Sequence, residues 1–107
     1  MTDARIILTT AGNRDEADKI ARELVQRELA ACVNILGPMT SVYRWKGKVE
    51  SAAEFLLLVK TTEDAFDRVK EAIQELHSYE VPEFIELGIS RGEGKYLAWL
   101  EKCVHYE

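Results

Sequence analysis

The chain has 107 residues, 47% of them hydrophobic and 31% charged, with 14 Lys+Arg against 19 Asp+Glu and a net charge of −5. That length accommodates one domain and not two. No apolar run approaches the roughly 18 residues of a membrane-spanning helix; none is longer than Phe55-Leu56-Leu57-Leu58-Val59. Acidic residues are interleaved with basic ones almost everywhere, which argues against nucleic-acid binding, since a phosphate backbone selects a basic stripe. The first residues carry no cleavage signature of a signal peptide, so the expected compartment is the cytoplasm.

In chain order, Arg5–Ala11 is β-rich and Gly12-Asn13 stops it. Asn13 is a helix N-cap with Glu16 three residues on, a capping-box spacing. Ala17, Ile20, Ala21, Leu24 and Val25 then recur at helical spacing. Asp15–Lys19, Asp18–Arg22 and Glu23–Arg27 are favourably oriented i,i+4 pairs on that helix. The stretch from Ala31 to Trp45 reads as a strand interrupted at Gly37-Pro38, because proline cannot donate to a sheet ladder. Lys46-Gly47 is a two-residue hairpin turn, and the return strand runs from about Lys48 to Lys60. In hairpin register its weak middle, Ser51-Ala52-Ala53, faces the Gly37-Pro38 break.

Thr61 or Thr62 is the expected cap of a second helix, whose apolar face is Ala65, Phe66, Val69, Ala72, Ile73 and Leu76. Pro82 ends that region, Phe84–Ile89 is a strand, and Tyr96–Val104 is a short helix with Leu97, Leu100, Cys103 and Val104 inward. The order is β-α-β-β-α-β plus a terminal helix, an α+β ferredoxin-like fold with an antiparallel sheet, a long β2–β3 hairpin and both main helices on one face. Residues 1–107 form a single domain in this reading. The uncovered sheet face must be hidden, and strands of about 13 residues at about 3.3 Å each make a hairpin longer than a globule of this size, whose radius of gyration is near 13 Å. An oligomer with arms pairing between subunits follows.

Chemistry-bearing residues are sparse. Cys32 and Cys103 lie 71 positions apart, which is neither a disulfide framework nor a zinc-knuckle spacing; both read as small buried hydrophobes. No nucleophile elbow, His-Glu-x-x-His or P-loop is present. The nearest thing to a catalytic loop is Thr10-Ala11-Gly12-Asn13-Arg14, whose Arg and Asn resemble an acylphosphatase phosphate loop but read equally as a turn and cap. Trp45 precedes the hairpin turn and Trp99 lies on the last helix; either could stack a ligand, and packing against a neighbouring subunit accounts for Trp45 as well.

Several blocks together resemble one family. They are Leu29-Ala30-Ala31-Cys32-Val33-Asn34-Ile35, Ser41-Val42-Tyr43-Arg44-Trp45-Lys46-Gly47-Lys48-Val49-Glu50 and Lys60-Thr61-Thr62. His77-Ser78-Tyr79-Glu80-Val81-Pro82-Glu83 and Tyr96-Leu97-Ala98-Trp99-Leu100 complete the set, colinear from Ile6 to about Leu100. The chain is similar to the CutA family of divalent-cation tolerance proteins. The resemblance implies a non-catalytic homotrimer like the PII signalling proteins, with hairpins paired around a threefold axis. It implies clefts between subunits lined by Cys32, Trp45, Lys60, Tyr79 and Glu83.

The family's name implies a link to copper and other divalent metals. In bacterial members a proposed copper site uses a first-strand Cys and two adjacent His before the Tyr-x-x-Pro-Glu block. Here no Cys occurs near Thr9, and the His pair is reduced to Leu76-His77. His77 remains as the metal-ligand candidate, with Glu80, Glu83 and a neighbour's Cys32 completing a weak mixed site for Cu2+ or another divalent metal. The bland reading makes His77 a helix C-terminal residue and the two carboxylates solvated. A PII-like adaptor that binds a small effector and an unidentified protein target is the alternative function.

Overall fold

The computed structural model describes residues 2–105; Met1, Tyr106 and Glu107, part of the expected 1–107 domain, lie outside the described residues. β1 (Ala4–Ala11) is followed by α1 (Arg14–Gln26), β2 (Cys32–Trp45), β3 (Lys48–Thr62), a 3-10 turn (Glu63–Ala65), α2 (Phe66–Leu76), β4 (Ile85–Gly88) and α3 (Gly94–Lys102). The strands form one antiparallel sheet in the order β2-β3-β1-β4. This is the expected ferredoxin-like arrangement.

The strands explain themselves by alternation. Ile7, Ala11, Leu57 and Val59 point to one face, where they meet Ala17, Ile20, Leu24, Val69 and Ile73 from the two helices in a continuous buried core. Val25, expected to join them, is 42% exposed, because it lies at the edge of the apolar stripe of α1. On the opposite face stand Ile6, Leu8, Leu58, Ile85, Leu87 and Leu36, in register with one another across the sheet. Ile85, Leu87 and Leu36 are 43–48% exposed. α3 lies near the ends of β1 and β3 and buries Leu100 and Val104, while Leu97 and Cys103 are not fully buried.

The hairpin spans nearly the whole molecule, whose longest extent is 45 Å against 26 and 21 Å. Lys46 and Gly47 both take positive φ, 50° and 79°, which is the primed turn that matches strand twist. The break in β2 falls between Leu36 and Met39, next to a cis Gly37-Pro38 bond. The sequence pattern places Ser51-Ala52-Ala53 opposite it. The observed register puts those residues opposite Val42, Ser41 and Thr40, and leaves Phe55 at the break instead. Counted from the Lys46-Gly47 turn, that pairing is reached before the bulge, so the two-residue turn alone fixes it and the bulge shifts only the pairs from Leu36 onward.

Three local expectations also need correction. Thr61 and Thr62 do not cap a helix: the Thr61 hydroxyl donates to the Leu29 carbonyl at 2.6 Å, and Thr62 makes no side-chain cap bond. The chain enters α2 through the 3-10 turn instead. Of the three helix pairs, Asp18–Arg22 and Glu23–Arg27 form, and Asp15–Lys19 does not among the described residues.

Gly37 has φ 144°, and a Cβ there would lie 2.8 Å from the Phe55 ring and 3.1 Å from the Glu54 carbonyl. Gly37→Ala is therefore expected to destabilise the fold by about 1–3 kcal/mol, read as a lower urea midpoint. An unchanged midpoint would show that the bulge tolerates a side chain.

Candidate functional site

The sequence-predicted residues divide between two ends of the sheet. At one end, Cys32 and Lys60 are directly paired across β2 and β3, so their side chains share the open face. The Lys60 ammonium donates to the Tyr96 hydroxyl at 3.2 Å and lies 5.6 Å from the Tyr96 ring centre. Among the described residues no carboxylate lies within ion-pair distance of it. Tyr96 and Trp99 stack with ring centres 5.6 Å apart, and both are more than 40% exposed.

At the other end, the loop after α2 returns to the start of α1. The Tyr79 hydroxyl donates to the Glu54 carboxylate at 3.2 Å. Lys60 and Glu54 sit on one strand, six residues or about 20 Å apart. Trp45 stands at the hairpin tip, 58% exposed, and Glu83 is exposed in the loop. The five cleft residues are therefore not brought together within one chain.

His77 anchors the second end. Its ring is fully buried, with Nε2 2.6 Å from the Thr10 carbonyl and Nδ1 3.0 Å from the Tyr79 N–H. A carbonyl only accepts and an amide N–H only donates, so the ring is the neutral Nε2-protonated tautomer with its one lone pair already used. Thus His77, read from the sequence as a metal ligand, has no free lone pair as it stands. Nor does any group of three or more His, Cys, Asp and Glu that could hold a metal occur among the described residues. The donors of one chain do not fit a metal centre.

Sequence reasoning missed the role of Glu16. Asn13 caps α1 as expected, its Oδ1 accepting from the Glu16 N–H at 2.8 Å. The Glu16 side chain, however, accepts from the Ser78 N–H at 2.6 Å and the Ser78 hydroxyl at 3.1 Å, and lies 3.6 Å from His77 Nδ1. It ties α1 to the loop after α2. The spacing of a capping box carried half the signal; the distant partner, 62 residues on, left none.

Burial alone would raise the Glu16 carboxyl, but the Ser78 hydrogen bonds, the nearby His77 ring and the Gly12 N–H hold it below its ordinary value. Burial and the Glu54 carboxylate push the Tyr79 hydroxyl the other way, upward. This end of the molecule is a closed hydrogen-bonded latch of a carboxylate, an imidazole and a phenol.

The sequence model described as CutA1 divalent ion tolerance protein matches residues 5–103. The chain belongs to this family. It is 47% identical to the divalent-cation tolerance protein CutA of Thermus thermophilus, over 91% of this chain and 94% of that protein. It is 44% identical to the chloroplastic CutA of Arabidopsis thaliana over 90% of this chain, spanning 53% of that longer protein. The solved structure of CutA1 from Oryza sativa superposes with a TM-score of 0.95 at 38% identity, covering 99% of this chain and 97% of that one. The solved structure of the Thermus thermophilus protein gives 0.93 at 45% identity, covering 95% and 99%.

Because the folded carboxyl of Glu16 sits below its unfolded value, its contribution is complete above the ordinary carboxylate range, about 4.3, and is lost as pH falls through the lower folded value. Glu16→Gln should cost about 1–3 kcal/mol at neutral pH and flatten the acid limb of stability against pH. Urea unfolding from pH 7 to pH 3 reads both. An acid limb that keeps its slope in the variant would mean other carboxyls carry it.

Proposed function

We propose that this CutA-family chain acts without catalysis, as a homotrimeric binding protein linked to divalent-cation tolerance. In this reading its ligand clefts form where the Lys60 end of one subunit meets the Tyr79 end of the next. The observation that carries it is the separation of those two ends by about 20 Å on a single strand, beside an apolar sheet face left open by the described residues. Cu2+ or another divalent metal would bind such a cleft weakly, because His77 joins only by releasing the Tyr79 N–H and the remaining donors come from separate chains.

A second reading is a PII-like adaptor whose cleft takes a small effector before a protein target. The lack of a carboxylate beside Lys60 among the described residues favours it, since an ammonium without a carboxylate partner attracts an anion.

Native mass spectrometry of the untagged protein tests the assembly. The expected species has three times the 12.2 kDa chain mass, and Leu87→Lys, on the open face at β4, should shift it to monomer while far-ultraviolet circular dichroism stays unchanged. A wild-type monomer would sink the cleft. Chelator-buffered copper titration tests the metal: affinity should be weak and should fall with the trimer, whereas tight binding by the monomeric variant would sink an intersubunit site.

A further inference from the structure

We infer that Lys60 forms an ion pair with Glu54 of a second copy of this chain, one such pair at each interface of the ring. The inference names the contact that closes the proposed trimer, and it rests on that reading. Lys60 and Glu54 stand on β3 an even number of residues apart, so both project from the face opposite Leu57 and Val59. Each is half-buried and each is oriented by a phenol. The Tyr96 hydroxyl accepts from the ammonium at 3.2 Å, and the Tyr79 hydroxyl donates to the carboxylate at 3.2 Å. A hydroxyl orients a charge and leaves it uncancelled. The register partners, Ile6 and Cys32 for Lys60 and Met39 for Glu54, bring no charge. Arg14, a cation at the Glu54 end, lies over the Phe55 ring at 4.8 Å, and among the described residues neither charge enters an ion pair.

The two ends are complementary and cannot meet in one chain, because the strand holds them about 20 Å apart. In a ring of identical copies every interface is head-to-tail, so the Lys60 end of one copy lies on the Glu54 end of the next. Leu56 and Leu58 stand between the two charges on the same face, so contact there excludes water and strengthens a charge pair at its margin. A charge drawn from water without a counter-charge is costly, and the pairing of copies satisfies both at once. Glu83 is the other carboxylate of that end, but it is exposed in the loop after α2 and no hydrogen bond orients it among the described residues. A free anion then reaches Lys60 only by displacing the Glu54 carboxylate.

A double-mutant cycle tests the pair, with sedimentation velocity in rising urea reporting loss of the trimer. Lys60→Met and Glu54→Gln should each lower the urea midpoint of trimer loss, and the double variant should lower it by clearly less than the sum of the two. Sites this far apart in one chain act independently, so the shortfall places their contact between copies. Glutamine keeps an acceptor for the Tyr79 hydroxyl, which separates the lost charge from a loosened loop. Glu83→Gln should leave the midpoint near that of the native chain. Where a single change already abolishes the trimer, the charge swap decides: Lys60→Glu combined with Glu54→Lys should form a trimer again. Additive midpoints in the cycle, an unrescued monomer in the swap, or coupling of Lys60 to Glu83 in place of Glu54 overturns the pair and leaves the trimer standing. A native chain that is not a trimer before urea is added overturns both.

Discussion

Both main helices pack on one face of a four-stranded sheet, and that one-sidedness constrains the rest of the molecule. Leu57 and Val59 lie in the core while Leu58, between them, must face the other way. A strand buried on both sides carries apolar residues at every position. β3 has that composition from Phe55 to Val59, yet the two main helices cover only one of its faces, and α3 reaches the other at the Lys60 end. The open side of β3 therefore carries apolar side chains, Leu56 and Leu58, that the two main helices do not cover. The long hairpin adds to the same need, since β2 is an edge strand of 14 residues whose outer hydrogen-bonding groups face outward.

This constraint also decides where chemistry can occur. Lys60 and Glu54 are fixed on one strand, and a strand cannot fold back to bring them together. Function that uses both ends must therefore come from juxtaposed copies. The latch at Tyr79 is the counterpart of this arrangement. Glu16, His77, Ser78 and Tyr79 hold the loop after α2 against the start of α1, so that the loop's shape does not depend on a ligand. The same hydrogen bonds use up the imidazole's lone pair, which is why a histidine conspicuous in the sequence is structural within the single chain.

What was legible in the sequence follows from the range of the interaction. Asn13, Lys46-Gly47 and the Gly37-Pro38 break act on neighbours within a few residues, and each is readable from residue type alone. The helices' buried faces are readable from period, except at Val25, where periodicity marks a stripe but not its edge. Thr61 misleads because a threonine before an acidic turn has the local chemistry of a cap, and only the folded chain brings the Leu29 carbonyl to its hydroxyl. The hairpin register misleads for the opposite reason: matching weak stretches by residue type overlooks the local count from the turn, and with Trp45 opposite Lys48 the two-residue turn alone sets Ser51-Ala52-Ala53 opposite Val42, Ser41 and Thr40.

The candidate site was legible only as a set of residue types. The family resemblance named Cys32, Lys60 and Tyr79 as neighbours of a cleft, and the fold joins the first two while separating the third. Glu16 and Glu54, which hold the latch, carried no signal because ordinary surface carboxylates look the same in a sequence. What distinguishes them is a buried ring at one remove and a phenol at the other. Lys60 reverses the case. It looks like any strand-end lysine, and what sets it apart among the described residues is its choice of partner: its ammonium is held by a hydroxyl, which orients charge without cancelling it. An oriented charge with no carboxylate of its own chain beside it is incomplete as a piece of electrostatics, and only negative charge from outside the chain completes it.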